Sequence, residues 1–292
     1  MGSETVKETG GTLFVVATPL GNLDDLTFRS VKCLKEVDLI ACEDTRRTSK
    51  LLNHLGIKKP LISCYEHNEV ARIDELLERI GAGANVALVS DAGTPTISDP
   101  GFALVRAAHE RGLKVSPVPG PSAVIAALSA SGLPTDEFLF AGFLPRTASA
   151  RRTRLEELKR VTGTLVFYES PHRVLESLHD MITVLGDREA SLCREVTKVH
   201  EELKRASLGR IARDLENRPE ILGEIVVVVA GAGVESARIG TMDEALSRYE
   251  TEVAMGATPR QAAKDAAGAT GLPAREIYGQ AVARKSRTPQ RG

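Results

Sequence analysis

An α/β fold is what this chain predicts: two successive sheet-bearing domains plus a small all-helical C-terminal appendage. Three observations carry that expectation. Short β-branched runs alternate with longer helical patterns up to about residue 231, which is the rhythm of sheets covered by helices. The alternation pauses once, at "PGPS" (119–122), and then begins again. Beyond about Val234 strand patterns stop and only helical ones remain. The expected organisation is a flexible tail at 1–11, an N-terminal α/β domain at 12–120, a C-terminal α/β domain at 121–234, a small helical domain at 235–285 and a basic tail at 286–292.

The elements follow in order. "TLFVVA" (12–17) reads as the first strand and "LTFRSVKCLKEV" (26–37) as a helix; "DLIACE", "LISCY" and "NVALVS" are further strands. Helical patterns in "RRTSKLLNHL" and "VARIDELLERI" separate them, and "LKVSPV" (113–118) closes a mostly parallel first sheet. After "PGPS" comes a small-residue helix, "AVIAALSASG" (123–132). The second block holds strands "FLFAGF" (138–143), "TLVFY" (164–168), "ASLCRE" and "EIVVVVAG", with a basic stretch and "RVLESLHDMITVLG" as helices between them. "DEALSRYETEVAMG", "TPRQAAKDAAGATG" and "LPAREIYGQAVARKS" then read as three short helices.

Composition narrows the function classes. A hydrophobic content of 42% with 26% charged residues is that of a soluble globular protein. A net charge of −1 gives no overall attraction to nucleic acid or membrane, so any basic footprint is local. No apolar run is long enough to span a bilayer, and the polar first ten residues do not read as a signal peptide. Cys33, Cys42, Cys64 and Cys193 are scattered, without a C-x-x-C pair, and read as thiols in a reducing, cytoplasmic setting with no metal site.

The common ligand fingerprints are missing. There is no G-x-x-x-x-G-K-[ST], the first strand opens into "VATPLGNLDDLT" instead of G-x-G-x-x-G, and no G-x-S-x-G occurs. The histidines show no zinc spacing, and His67, His172 and His200 read as hydrogen-bonding residues near strand ends. What remains is a set of loops at the carboxyl ends of strands: "TPLGN" (18–22), "EDTRRT" (43–48), "DAGTP" (91–95), "PGPSA" (119–123) and "YESPHR" (168–173). Open α/β sheets bind ligands there, so five such loops are expected to converge on one cleft. In "SDAGTPTISDPG" (90–101), Ser98 or Asp99 is expected to cap the following helix, with Pro100 in its first turn.

Together "VVATPLGNLDDLT", "DAGTPTISDPG", "PGPSA", "TLVFYESPHR" and "REVTKVHEE" (194–202) closely resemble the bacterial 16S ribosomal RNA cytidine 2′-O-methyltransferases of the tetrapyrrole-methylase superfamily. The resemblance spans roughly residues 12–231. It implies the class III methyltransferase fold, S-adenosyl-L-methionine held between two α/β domains, and methylation of the ribose of cytidine 1402 in 16S rRNA. It also implies a homodimer working on the 30S subunit, away from membranes. Where porphyrin-directed relatives carry acidic V-G-x-G-P-G-D and G-G-D-P loops, this chain has neutral Val16–Asn22 and Ala92–Pro95, and "EDTRRT" adds Arg46 and Arg47. That exchange of charge suits a polyanion.

Methyl transfer from a sulfonium to a hydroxyl is an in-line displacement that needs alignment and removal of a proton, with no metal required. For the donor, the resemblance implicates Pro19, Leu20, Gly93, Thr94, Ile97, Ser122, Ala123 and Tyr168; Asp91 is either a ligand contact or a turn cap. For the acceptor the candidates are Glu43, Asp44, Arg46 and Arg47, with Glu169, His172, Arg173, Arg194, Glu195 and Lys198. Glu43 or Glu169 is the expected base, with a neutral Lys198 as the alternative. A network bracing the two domains competes for Arg194 and Glu195. RNA contact is expected from the basic segment 145–160, above all Arg151 and Arg152, and from Arg284, Lys285, Arg287 and Arg291. Residues 260–282 resemble a helix-turn-helix, against which stands a packing hairpin. The competing functions are another superfamily methylase, of a tetrapyrrole or a modified protein side chain, and a non-enzymatic RNA-binding assembly factor.

Overall fold

The computed structural model describes residues 10–64, 69–233 and 240–287. Most of the N-terminal tail, His67 and the basic terminus from 288 onward lie outside the described residues. The first sheet is built from β1 (Thr12–Val16), β2 (Leu39–Cys42), β3 (Leu61–Ser63), β4 (Val86–Val89) and β5 (Lys114–Val118). They lie in the order β3-β2-β4-β1-β5, every pair parallel. The crossovers are α1 (Phe28–Glu36), α2 (Thr45–His54), α3 (Glu69–Gly81) and α4 (Phe102–Glu110). The period-2 alternation of a strand sends Leu13, Leu39, Ala41, Val86 and Leu88 to one apolar face. Val16, Ile40, Cys42, Ala87 and Val89 go to the other. With both faces covered, β2 and β4 are buried at every residue, as central parallel strands must be. Pro117 is tolerated because β5 is an edge strand.

After "PGPS", α5 (Ala123–Ala130) packs Val124, Ala127 and Leu128 against Val166, Val226 and Val228 of a second sheet. That sheet comprises β6 (Phe138–Phe143), β7 (Thr164–Glu169), β8 (Glu189–Arg194), β9 (Glu202–Ser207) and β10 (Ile225–Val229), in the order β6-β7-β10-β8-β9. Its opposite face is covered by α6 (Ala148–Leu158), α7 (Val174–Leu185) and α8 (Leu208–Glu216) around Leu155, Phe167, Leu178, Ile211 and Val227. Only β6–β7 is parallel; the other three pairs are antiparallel, unlike the first sheet. β9, "ELKRAS", escapes the sequence reading because it is an edge strand dominated by charge. Its alternation is of half-buried and exposed residues, not of apolar and polar ones.

The last three helices are α9 (Met242–Ala254), α10 (Pro259–Thr270) and α11 (Ala274–Arg287). Thr241 and Glu244 form a reciprocal capping box at α9, and Thr258 with Pro259 starts α10. Their small apolar faces close on one another around Leu246, Tyr249, Ala263 and Ile277. Arg160 donates to the carbonyl of Gly268, a link from this bundle to the second sheet's helices.

Candidate active site

A central cavity of about 310 Å³ opens at the carboxyl ends of the first sheet's strands. Every one of the five strand-end loops contributes to it: Leu20, Glu43 with Arg47, Asp91 to Thr94 with Ile97 to Asp99, Ala123, and Tyr168 with Glu169. Two short ties bring the loops together. Thr18 and Gly93 exchange backbone hydrogen bonds of 2.8 and 3.0 Å, so the loops after neighbouring β1 and β4 move as a pair. Thr94 Oγ1 then donates to the Pro121 carbonyl at 3.0 Å and joins "DAGTP" to "PGPS".

Gly93 is required at its position. Its φ is +79°, and a Cβ there would stand 3.2 Å from a Leu20 methyl. Among the residues expected at the donor, Leu20, Asp91, Gly93, Thr94, Ile97, Ala123 and Tyr168 line the cavity. Pro19 lies in the adjoining depression beside Lys198 and Lys50. Ser122 is the N-cap residue of α5, yet its side chain makes no cap hydrogen bond. The Tyr168 ring is held edge-on by Phe140 and Phe143, with centroids 4.8 and 5.5 Å away. Burial, helped by the charges of Asp99 and Glu224, pushes its phenol up to about 12.

The acceptor candidates divide. Glu43 and Arg47 face the cavity. Burial and the neighbouring Asp91 raise the Glu43 carboxyl above the ordinary range, against a backbone hydrogen bond from Asp91. Arg47 stands 3.4 Å from Asp91, whose other oxygen accepts from the backbone of Asp44 at 3.2 Å. Arg46 lies on the exposed surface, paired with Asp44 at 2.8 Å. Glu169 is buried and accepts from Ser177 Oγ at 2.7 Å and Ser170 N–H at 3.2 Å, with Arg173 at 3.7 Å. His172 is exposed on the same loop.

Several expectations are corrected. Lys198 is no neutral base. Burial alone would lower its pKa, but its ammonium donates to Glu195 at 2.8 Å and Glu224 at 3.0 Å, and the net shift is upward. Arg194 is spent on bracing, donating to Glu202 at 3.0 Å and to the Leu222 carbonyl at 3.3 Å. Arg151 does not face solvent at all: only 3% of its side chain is exposed, and it pairs with equally buried Asp180 at 2.6 Å. Arg152 reaches the other Asp180 oxygen at 2.6 Å. The basic segment is therefore α6, stapled to α7, and Arg154 and Lys159 pair with Glu157 and Glu156 of the same helix. Arg284 faces Asp243, and the side chains of 285 onward lie outside the described residues. Ser98 and Asp99 do not cap α4 either. Its N-cap is Gly101 in the left-handed region, without a side-chain bond, and Pro100 lies before the helix. Asp99 lines the cavity instead, beside Phe143, Val196, Glu224 and Val226, none of which the sequence reading singled out. Phe143 ends a strand on the cavity side, so the same strand-end rule would have found it; Val226 is hidden within a uniformly apolar run.

Comparison with known proteins gives the family and the fold. Residues 12–212 match the family of tetrapyrrole (corrin/porphyrin) methylases. The chain is 46% identical over 275 residues to a protein of Halalkalibacterium halodurans named ribosomal RNA small subunit methyltransferase I, covering 93% of this chain and 95% of that one. A Pseudomonas aeruginosa protein of the same name is 46% identical over 285 residues, covering 96% and 100%. In fold it is similar to the uroporphyrin III C-methyl transferase of Thermus thermophilus, with a TM-score of 0.54 at 20% identity over 75% of this chain and 97% of that one.

Proposed function

Because the chain belongs to the tetrapyrrole (corrin/porphyrin) methylase family, we propose that it is an S-adenosyl-L-methionine-dependent methyltransferase of small-subunit ribosomal RNA. The position modified is the 2′-hydroxyl of cytidine 1402 in 16S rRNA, which the five loop motifs favour over a tetrapyrrole or protein acceptor. The observation that carries the reading is the cavity in which all five loops meet.

The chain's residues fit the donor. Gly93 keeps the backbone of its loop bare where a side chain would crowd Leu20. Leu20, Ile97, Ala123, Val196 and Val226 offer an apolar wall for an adenine, and the α5 N-terminus with the uncommitted Ser122 hydroxyl suits the donor's carboxylate. The donor supplies an activated methyl group on a positively charged sulfur, and Glu43, Asp91 and Asp99 surround the cavity with the opposite charge. Arg47 lines the cavity, Lys50 lines the adjoining depression that shares Leu20, Asp91 and Ala92 with it, and Arg46 lies exposed on the same helix as both; they are placed to meet phosphates. Tyr168, held protonated, acts as wall and donor of a hydrogen bond, not as a base.

The same reading carries a homodimer, to which edge strand β6 offers exposed Phe138, Leu139 and Phe143, and a division of the chain at 120/121 and 234/235. Among the described residues no helix is long and apolar enough to cross a membrane, and the cytoplasmic ribosome is the proposed setting. The test is transfer of labelled methyl from the donor to undermethylated 30S subunits and to free 16S RNA. Label on the cytidine ribose is the expected result. No transfer to either substrate, with no heat of donor binding, would favour a non-enzymatic RNA-binding factor.

A further inference from the structure

Five carboxyl groups line the cavity, and all but Asp99 have a cation or a fold hydrogen bond beside them, Glu224 through Lys198 at 3.0 Å. Glu169 is held by Ser177, Ser170 and Arg173. Asp91 is held by the Asp44 backbone and Arg47, while Glu43 lies in the field of the Arg47 charge and near the Asp91 backbone, both of which favour its ionised form. Asp99 differs: among the described residues it pairs with no cation, and the nearby Ser90 hydroxyl, which donates to the Ala92 carbonyl at 3.3 Å, is the one neighbour that favours its charged form. Nor does it serve the helix that follows, since Gly101 is the N-cap of α4.

The backbone that delivers Asp99 is strained. Thr96 and Ser98, neither of them glycine, sit at φ +74° and +63°. Left-handed backbone is costly for any residue but glycine, and for β-branched Thr96 the conformation is rare. Nothing in the start of α4 requires two such residues. They lie in the turn that brings Asp99 into the cavity wall, which it shares with Tyr168 and Glu224, and Ser98 comes close to Gly142 of β6.

We propose that Asp99 is the catalytic residue that accepts the proton of the acceptor hydroxyl. This rests on the methyltransferase reading of the cavity. As the hydroxyl oxygen forms its bond to the methyl carbon, the S–C bond breaks and its electron pair stays on sulfur. The positive charge of the sulfonium is thereby lost, and the hydroxyl proton passes to an Asp99 carboxylate oxygen, which becomes neutral.

The surroundings suit that task. Burial, with the negative charges of Glu43, Asp91 and Glu224, lifts Asp99 to about 6, against the Ser90 hydrogen bond. It is thus ionised at neutral pH but a stronger base than an exposed carboxylate. The groups facing it are Ser90 and Asp91 from the end of β4, Glu43 from the end of β2 and Arg47 from α2. Tyr168 and Glu169 face it from β7, and Glu224 from the turn before β10.

The experiment compares wild type, D99N and D99E by methyl transfer to 30S subunits at saturating donor. Donor affinity is measured by calorimetry, and the pH dependence of kcat is followed from 5 to 8 alongside carbon-NMR titration of the carboxyl groups in ligand-free protein. D99N is expected to lower kcat by about 100-fold or more, with donor Kd within about threefold of wild type. D99E is expected to recover part of the loss. The acidic limb of wild type near pH 6 should match one carboxyl signal absent from D99N. A D99N enzyme within threefold of wild-type kcat, or one whose defect is confined to donor Kd, overturns the assignment while the methyltransferase reading stands. A wild-type protein that transfers no label overturns the reading itself. Should D99N not fold, E43Q serves: removing the Glu43 charge moves the acidic limb to lower pH, and an unmoved limb rejects Asp99.

Discussion

Gly93 and Asp99 show how much two positions in one loop determine. With φ at +79° and a Leu20 methyl 3.2 Å from where a Cβ would be, Gly93→Ala strains the backbone and pushes Leu20 into the cavity. The left-handed conformation costs alanine about 1–2 kcal/mol of fold stability, and the displaced Leu20 crowds the cavity, so donor affinity should fall as well. Calorimetry checks this; a Kd within twofold of wild type would remove Gly93 from the donor wall. Asp99 was legible as a residue of interest but not as a cavity residue. "SDPG" reads locally as a helix start, and only the left-handed Thr96 and Ser98 turn its carboxyl away from α4. Lys198 illustrates the reverse: nothing in "REVTKVHEE" reveals that Glu224, 26 residues on, closes a second ion pair on it.

At the scale of elements, the charged residues of the second sheet and its helices hold the fold together. Arg151 and Asp180 pin α6 to α7 with 3% and 4% of their side chains exposed. Breaking a buried pair by removing one partner leaves the other charge stranded, so Arg151→Met should cost about 3–5 kcal/mol in urea unfolding. R151M/D180L should regain most of it, and both folded variants should bind 30S subunits as wild type does. Weakened binding by the refolded double variant would restore Arg151 to the RNA surface. Glu202 on β9 accepts from Arg218 and Arg194, and these bonds, outweighing burial, draw its carboxyl down to about 2. A lowered folded-state pKa gives stability that is present above the ordinary carboxylate range and lost as pH falls toward 2. Glu202→Gln should therefore be about 1–2 kcal/mol less stable at pH 7, with the difference from wild type shrinking between pH 4.5 and 2. A difference constant across that range would contradict the assignment. The antiparallel pairing of β9 was invisible in the sequence for the same reason that Glu202 is effective: its residues pair with charges, not with a core.

For the whole molecule, the cavity draws on residues 20 to 226 and on none of α9, α10 or α11. Those helices bury their small apolar faces against one another. A chain ending at residue 233 is thus expected to keep donor affinity within about twofold, read by calorimetry; a lost donor site would show that the helical bundle props the cleft. The sequence by itself determined most of the elements, β9 and α8 excepted, that both faces of the first sheet are covered, and which five loops stand at strand ends. Those properties follow from hydrophobic periodicity and from the turn chemistry of Gly and Pro, both local. Only the tertiary structure decided the direction of the strands in the second sheet, which arginines are buried, and which of the cavity's carboxyl groups pairs with no cation among the described residues. Each of these depends on what lies opposite a side chain in space: Asp180 29 residues from Arg151, Arg47 44 residues before Asp91. A charged residue reads the same in sequence whether it faces water, an ion pair or a ligand, because burial and partners set its energy.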